Sequence, residues 1–267
     1  MNMTATDLKA AYDKQGFVSP VNVLSEEDAL RHRRRMERAE KEFGPVHYLA
    51  KMHTILRSPH ELATHPRLLD AVEALIGPDI LLYNCTYIVK EPRSPSHVSW
   101  HQDLTYWGLD SSDGQVSAWL ALSRADRESG CMRMLPGSHA AGEREHDLSQ
   151  PDENNVLFQS QTVHGVDEKS AVHCELAPGQ ASLHHGWTLH CSAPNQSGDR
   201  RIGLNLQYIA PHVRQVKHSG YSALLVRGED RFGNYADESP AERDLDPVAM
   251  EWWKKQDALH REIAGNA

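Results

Sequence analysis

The sequence predicts a mainly β fold with flanking helices, closed as a jelly-roll barrel, and three observations lead there. From Ile80 onward, short β-type runs succeed one another at Leu81 to Val89, Val116 to Leu122, Cys131 to Leu135, Gln180 to His184 and Arg201 to Ile209, with turn residues between them. The stretches before and after them carry helical periodicity instead. With 267 residues and 39% hydrophobic composition, the chain holds enough apolar material for one β-barrel domain with a sizeable core. The expected layout is one domain over 1–267, with a helical N-terminal region at 1–78, a barrel core at about 79–212 and a helical C-terminal region at 213–267.

The elements follow in order. Thr6-Asp7 is a plausible cap before Leu8, Ala11 and Tyr12, and Gly16 to Val21 breaks that first helix. Ser25 followed by Asp28 resembles a capping arrangement and opens a charged helix running toward Phe43. Within it the basic run Arg31 to Arg35 is followed at once by Glu37, Glu40 and Glu42, which reads as a solvated helix face rather than a nucleic-acid patch. Pro66 sits where a helix can begin, with Leu68, Leu69, Val72, Leu75 and Ile76 on one face and Gly77-Pro78 as its stop. Gly142 to Asp167 is long, polar and weakly periodic, an insertion or mobile lid between barrel strands. Val248, Trp252, Leu259 and Ile263 fall at helical spacings, so an amphipathic helix packs on the sheet or on another subunit, and a homo-oligomer is left open.

Charge and cysteine usage narrow the partners. A net charge of -9 argues against nucleic acid and anionic lipid, both of which reward a basic surface, and favours a small-molecule partner. Cys85, Cys131, Cys174 and Cys191 are scattered without a Cys-x-x-Cys pair. No signal-type segment precedes Asp7, and no apolar run reaches the roughly 18 residues of a membrane helix, so a cytoplasmic protein with reduced thiols and no membrane association is expected.

The chemistry concentrates at Trp100-His101-Gln102-Asp103 and at His190, 87 residues beyond Asp103. On an extended segment, side chains at i and i+2 share a face, so His101 and Asp103 can reach one ion, and a β fold can bring His190 across from another strand. Two imidazoles and one carboxylate are the facial set that holds non-haem Fe(II) with open positions. The same three groups can hold Zn²⁺ with an activated water, which keeps a divalent-metal hydrolase as the rival, and a barrel that only binds a ligand is the remaining alternative.

The surroundings resemble the phytanoyl-CoA dioxygenase family of Fe(II)- and 2-oxoglutarate-dependent oxygenases. The likeness runs from about Tyr83 to Ala210, through Trp100 to Asp103, Ala118 to Leu122, Ser129 to His139, His190 to Asn195, and Arg200-Arg201. It implies a double-stranded β-helix of the jelly-roll or cupin-like kind, with His101, Asp103 and His190 as iron ligands. Arg201, eleven residues after His190, matches the arginine that pairs with the distal carboxylate of 2-oxoglutarate. A planar guanidinium suits that role because it donates two parallel hydrogen bonds. Arg200 would face away from it on a strand. Asn84, seventeen residues before His101, sits where relatives place an amide on the co-substrate, or is a hydrogen-bonded strand residue. Ser117 and Trp119 share a strand face and line the same cavity, Ser117 as a further contact to the co-substrate and Trp119 also readable as core. Thr105, Tyr106 and Trp107 form a substrate wall or pack the barrel mouth, His139 closes a turn or touches substrate, and His184 or His185 lies behind the ligands or in the core.

The resemblance further implies Fe(II), 2-oxoglutarate and O2, with hydroxylation of an unactivated C–H bond of a small polar or natural-product-like molecule and release of succinate and CO2. Desaturation, epoxidation or cyclisation would use the same oxidant. Halogenating relatives lack the carboxylate that Asp103 supplies here, which favours hydroxylation over halogenation.

Overall fold

The computed structural model describes residues 4–157 and 160–265; Phe158 and Gln159, within the expected insertion, lie outside the described residues. Two sheets form the jelly roll. The larger takes seven strands: β1 (Phe17–Asn22), β7 (Gln180–His184), β4 (Gln115–Ala121), β9 (Arg201–Ile209), β2 (Ile80–Lys90), β10 (Ser222–Arg227) and β11 (Ala236–Asp237), in that spatial order. The smaller takes β3 (Val98–His101), β8 (His190–Ser192), β5 (Met132–Met134) and β6 (Val172–Cys174), in that order. Apart from the parallel β10–β11 pair, all these strand pairs are antiparallel.

Strand alternation gives the larger sheet two faces of different character. Its outer face carries Cys85, Tyr87 and Val89 of β2, Val116, Ala118 and Leu120 of β4, and Ile202 to Tyr208 at even positions of β9. These pack with helices α1 (Ala5–Gln15), α2 (Glu26–Phe43), α3 (Arg57–Ala63) and α4 (Pro66–Ile76) in one core. The inner face carries polar groups in register: Asn84 lies opposite Gln207, Gln207 opposite Ser117, and Ser117 opposite His184. That row crosses four adjacent strands and positions the site.

Several expectations need correcting. The stretch 1–78 is not purely helical, because Phe17–Asn22 forms β1 at the edge of the large sheet, the one place where Pro20 costs no ladder bond. The stretch 213–267 is likewise not purely helical: β10 and β11 extend the sheet beyond β2 before α6 (Pro247–Gly265) begins. The first helix is capped by Thr4, not Thr6, in a reciprocal arrangement with Asp7. On the C-terminal helix Ile263 is buried and Leu259 packs against the core as expected, whereas Val248 is 81% exposed and Trp253, not Trp252, is the buried tryptophan. The segment 142–167 is tied down rather than free-standing: His97 donates to Asn154 O (2.9 Å), Val156 to His97 O (3.0 Å) and Val163 to Trp100 O (2.8 Å). All four cysteines are buried and free. No helix among the described residues is long and apolar enough to cross a membrane.

A buried ion network supports the wall behind the cavity. Lys51 Nζ donates to the carbonyls of Tyr83 and Ser222 (2.6 Å each) and pairs with Glu238 (2.9 Å), which also contacts His53. Burial acts to raise the Glu238 carboxyl, but Lys51 and His53 outweigh it and hold it at about 2. A carboxyl depressed in the folded state stabilises above its unfolded value, near 4.5, and that contribution fades as pH falls toward 2. Glu238→Gln leaves a buried ammonium without its counter-charge, so unfolding free energy is expected to drop by about 3–5 kcal/mol. Urea titration at neutral pH checks this: the midpoint falls at constant slope, and the wild-type advantage narrows toward pH 2.

Candidate metal centre and cavity

His101 ends β3, and Asp103 follows as the residue preceding the one-turn helix α5 (Leu104–Trp107), with α-region dihedrals φ -59° and ψ -40°. The expectation that both lie on one extended face is therefore corrected: the chain turns into a helix between them, and the turn brings the carboxylate beside the imidazole. His190 opens β8, whose pairing with β3 places it opposite His101. One ligand atom from each of the three residues lies within 4.8 Å of the other two, and all three residues are buried.

The hydrogen bonds around this trio decide which atoms face one another. Nδ1 of His101 lies 2.9 Å from Ser99 O, and Nδ1 of His190 lies 3.0 Å from Thr188 O. A carbonyl only accepts, so both Nδ1 atoms carry the proton and both Nε2 atoms present lone pairs. Those lone pairs point at Asp103 Oδ1, at 3.4 Å from His101 and 3.6 Å from His190. Asp103 Oδ2 is engaged elsewhere, accepting from Ser117 Oγ at 2.6 Å and lying 3.2 Å from His184 Nε2. Burial, with His101 close by, depresses His190. Three electron-rich atoms converging in a buried space repel unless a cation sits among them, so the donor set and its orientation fit a divalent ion.

Arg201 begins β9 and is 1% exposed. Its Nη1 donates to Gly130 O at 2.6 Å, its guanidinium lies 4.9 Å from the Trp119 ring centre, and its Nε has no partner. No carboxylate is within ion-pair distance of it among the described residues. Burial lowers its pKa to about 10, which still leaves it charged at neutral pH. Lys90, opposite Arg201 on β2, is pushed down to about 6 by burial and then by Arg201, and it donates to Ser192 Oγ (2.7 Å) and two carbonyls. Arg201 is thus a buried cation with unspent donors, the complement of a carboxylate. Two glycines make the pocket. A Cβ on Gly130 would stand 2.2 Å from Ala193 O, and one on Gly203 would stand 1.9 Å from Trp119 Cζ2. Arg200 points away, to Glu40 and Glu91.

Metal trio and arginine open onto one cavity of about 320 Å³. Of the residues named from sequence, Asn84, Tyr106, Trp107, Trp119 and His184 line it as well. Ser117 does not; its hydroxyl is spent on Asp103, which replaces the expected contact to a co-substrate. Thr105 and His139 do not line it either. Thr105 lines a separate pocket with His146, and His139 packs against His185 near Gly16, outside the cavity lining. Asn84 is internally satisfied: Oδ1 accepts from Lys51 N (2.9 Å), and Nδ2 reaches Thr86 Oγ1 (3.1 Å) and His260 Nε2 (3.3 Å). The sequence reading missed Tyr48, Ser192, Asn205, Gln207, His260 and Arg261 in the cavity wall. Ser192, Asn205 and Gln207 were within reach of strand alternation, at even steps from His190 or Arg201. No pattern announced that α6 would supply His260 and Arg261.

A jelly roll that aims two imidazoles and one carboxylate at a common point beside a buried arginine has the site of the mononuclear non-haem iron oxygenases. Comparison with known proteins agrees. Residues 12–203 match the phytanoyl-CoA dioxygenase (PhyH) family, and the chain belongs to that family of Fe(II)- and 2-oxoglutarate-dependent oxygenases. It is 26% identical over 255 residues to peroxisomal phytanoyl-CoA dioxygenase of Bos taurus, covering 85% of this chain and 75% of the bovine one. It is 25% identical over 236 residues to L-proline trans-4-hydroxylase of Streptomyces griseoviridis, covering 76% and 85%. Among solved structures, the apo form of ThoJ, a non-heme monooxygenase, superposes with a TM-score of 0.86 at 30% identity, covering 97% of this chain and 98% of that one.

Proposed function

We propose that the protein hydroxylates an unactivated C–H bond of a small polar or natural-product-like molecule, using Fe(II), O2 and 2-oxoglutarate and releasing succinate and CO2. The observation that carries this reading is the convergence of His101 Nε2, His190 Nε2 and Asp103 Oδ1 at the end of a cavity that also holds the uncompensated Arg201. In this reading His101, Asp103 and His190 hold the iron, and Ser117 and His184 fix the carboxylate rotamer by occupying its other oxygen. Arg201 docks the distal carboxylate of the keto acid, with Trp119 stacked on the guanidinium and Ser192 oriented by Lys90 beside it. Iron, once bound, supplies the oxygen activation that couples decarboxylation of 2-oxoglutarate to attack on a C–H bond. The apolar wall of Val98, Ile88, Val156 and Leu157 limits water at the reacting end. Buried, unpaired cysteines suit a reducing compartment such as the cytoplasm.

A zinc hydrolase built on the same trio leaves the buried arginine without a task. Anaerobic addition of Fe(II) and 2-oxoglutarate to metal-free protein separates the two. Bidentate keto-acid binding is expected to produce a visible charge-transfer band that Arg201→Lys weakens by raising the 2-oxoglutarate concentration needed, by about tenfold or more. A wild-type protein that binds Zn²⁺ and hydrolyses esters but never develops the band would refute the proposal.

A further inference from the structure

The donors and acceptors of the cavity can be divided into those already engaged and those still free. Asp103 is engaged by Ser117 and His184, Asn84 by Lys51, Thr86 and His260, and His260 by Tyr221 and Asn84. Arg261, at the cavity edge on α6, is paired with Asp257 through Nε (2.9 Å) and Nη2 (2.8 Å). Apart from Arg201 Nε, assigned above to the keto acid, and His184 Nδ1, three buried polar atoms of the lining remain without any partner: Gln207 Oε1, Asn205 Oδ1 and Tyr106 OH. All belong to cavity-lining residues, and none is charged. Gln207 is 8% exposed and occupies the β9 position directly between Asn84 and Ser117, so its amide sits one strand spacing from the hydroxyl that holds the metal carboxylate. Asn205 is two residues before it on the same face, and Tyr106, three residues after Asp103, sets its ring edge-on to His101.

Leaving such groups unpaired is costly in a buried space, whereas a ligand that meets them removes the cost. Gln207 therefore marks where a ligand's polar group belongs, beside the metal trio and on the strand of the keto-acid anchor. Val98, Val156, Leu157 and Ala264 contribute apolar wall to the same cavity.

We infer that Gln207, with Asn205 and Tyr106, is the specificity-determining subsite of this oxygenase, and that it selects an uncharged, hydroxyl- or amide-bearing molecule with an apolar body, not a free amino acid or an acyl-CoA. The inference rests on the iron and 2-oxoglutarate reading above. Gln207 meets the polar group nearest the bond to be attacked, Asn205 and Tyr106 meet its neighbours, and the apolar body lies along Val156 and Leu157. With Arg201 assigned to the keto acid and Arg261 held by Asp257, no unpaired cation remains in the described wall to neutralise an anionic substrate.

The test uses the Fe(II)·2-oxoglutarate protein under anaerobic conditions, reading the charge-transfer band and intrinsic tryptophan fluorescence, to which Trp107 and Trp119 contribute from the cavity wall. Probes are diketopiperazines, N-acetyl amino-acid amides and alicyclic diols, each paired with its N- or O-methylated counterpart, alongside free amino acids and butyryl-CoA. Unmethylated neutral probes are expected to perturb the band and to bind about tenfold or more tighter than their methylated partners, the effect of one well-placed hydrogen bond. Gln207→Leu is expected to abolish that preference while changing 2-oxoglutarate binding by no more than about twofold, an unchanged band serving as the control for folding. If Gln207→Leu fails to form the band, Tyr106→Phe, which removes only a hydroxyl, is expected to weaken the preference about threefold or more. Probes that show no donor preference, or tighter binding of amino acids or butyryl-CoA, overturn the inference, as does a Gln207→Leu protein whose chief defect is in 2-oxoglutarate binding. A wild-type protein that never forms the band instead overturns the reading beneath it.

Discussion

Asp103→Ala, His101→Ala and His190→Ala each leave a protein that no longer retains Fe(II) and forms succinate at least about 1,000-fold more slowly, equivalent to about 4 kcal/mol of lost transition-state stabilisation. The physical reason is the mutual orientation of three lone-pair donors. Each imidazole is locked by a backbone carbonyl on Nδ1, so neither ring can rotate to replace a missing partner. Asp103 Oδ2 is held by Ser117 and His184, which leaves Oδ1 alone to face the histidines. His184→Gln is the informative contrast. It disturbs the carboxylate without removing a donor from the trio, so Fe(II) affinity is expected to fall by about 10–100-fold and not to vanish. Iron content after gel filtration and the rate of succinate release measure both; full activity in Asp103→Ala and His190→Ala would remove the ligand assignment.

Gly203→Ala is expected to raise the dissociation constant for 2-oxoglutarate by about tenfold or more, although it adds one methyl group at a position that touches neither metal nor arginine directly. The added carbon would lie 1.9 Å from Trp119 Cζ2 and 2.2 Å from Cε2, and Trp119 is itself buried. The indole must therefore leave the guanidinium of Arg201, or β9 must part from β4, and overpacking of this sort costs about 1–3 kcal/mol. Charge-transfer titration with 2-oxoglutarate gives the affinity, and a urea midpoint shows how the cost divides between stability and binding. Gly198→Ala is the control, since nothing lies within 4 Å of its added carbon, and a change within about 0.5 kcal/mol is expected. Equal 2-oxoglutarate affinity in the Gly203→Ala protein would show that Trp119 does not support the anchor.

The parts of this molecule that local pattern dictates were readable in its sequence. Gln180 to His184 and Arg201 to Ile209 coincide with β7 and β9, Pro66 opens α4, and Ser25 caps α2. Each rests on alternation or on a terminal residue, which act over a few positions. β1 was hidden because Pro20 reads as a breaker until the strand is known to lie on an edge. β10 was hidden because Ser222 to Arg227 lacks alternation of apolar and polar residues and gains its stability from pairing with β2, far away in the chain. The site divides similarly. Motif blocks singled out His101, Asp103, His190 and Arg201, which the fold brings to one cavity, and Arg200 was set apart by strand alternation alone. His139 and Thr105 fell outside the cavity lining because adjacency to a motif does not fix which side chains reach the cavity. Gln207 and Asn205 escaped because their significance lies in what stays unsatisfied once every neighbour has been placed.

The helix α6 has a further consequence. His260, Arg261 and Ala264 border the same chamber as His101, Asp103 and His190, yet they stand more than fifty positions beyond residue 203, where the match to the family model ends. One side of that chamber is thereby encoded far along the polypeptide from the groups at 101, 103 and 190. Substitutions in that tail would reshape one side of the chamber without touching the groups at 101, 103, 190 and 201.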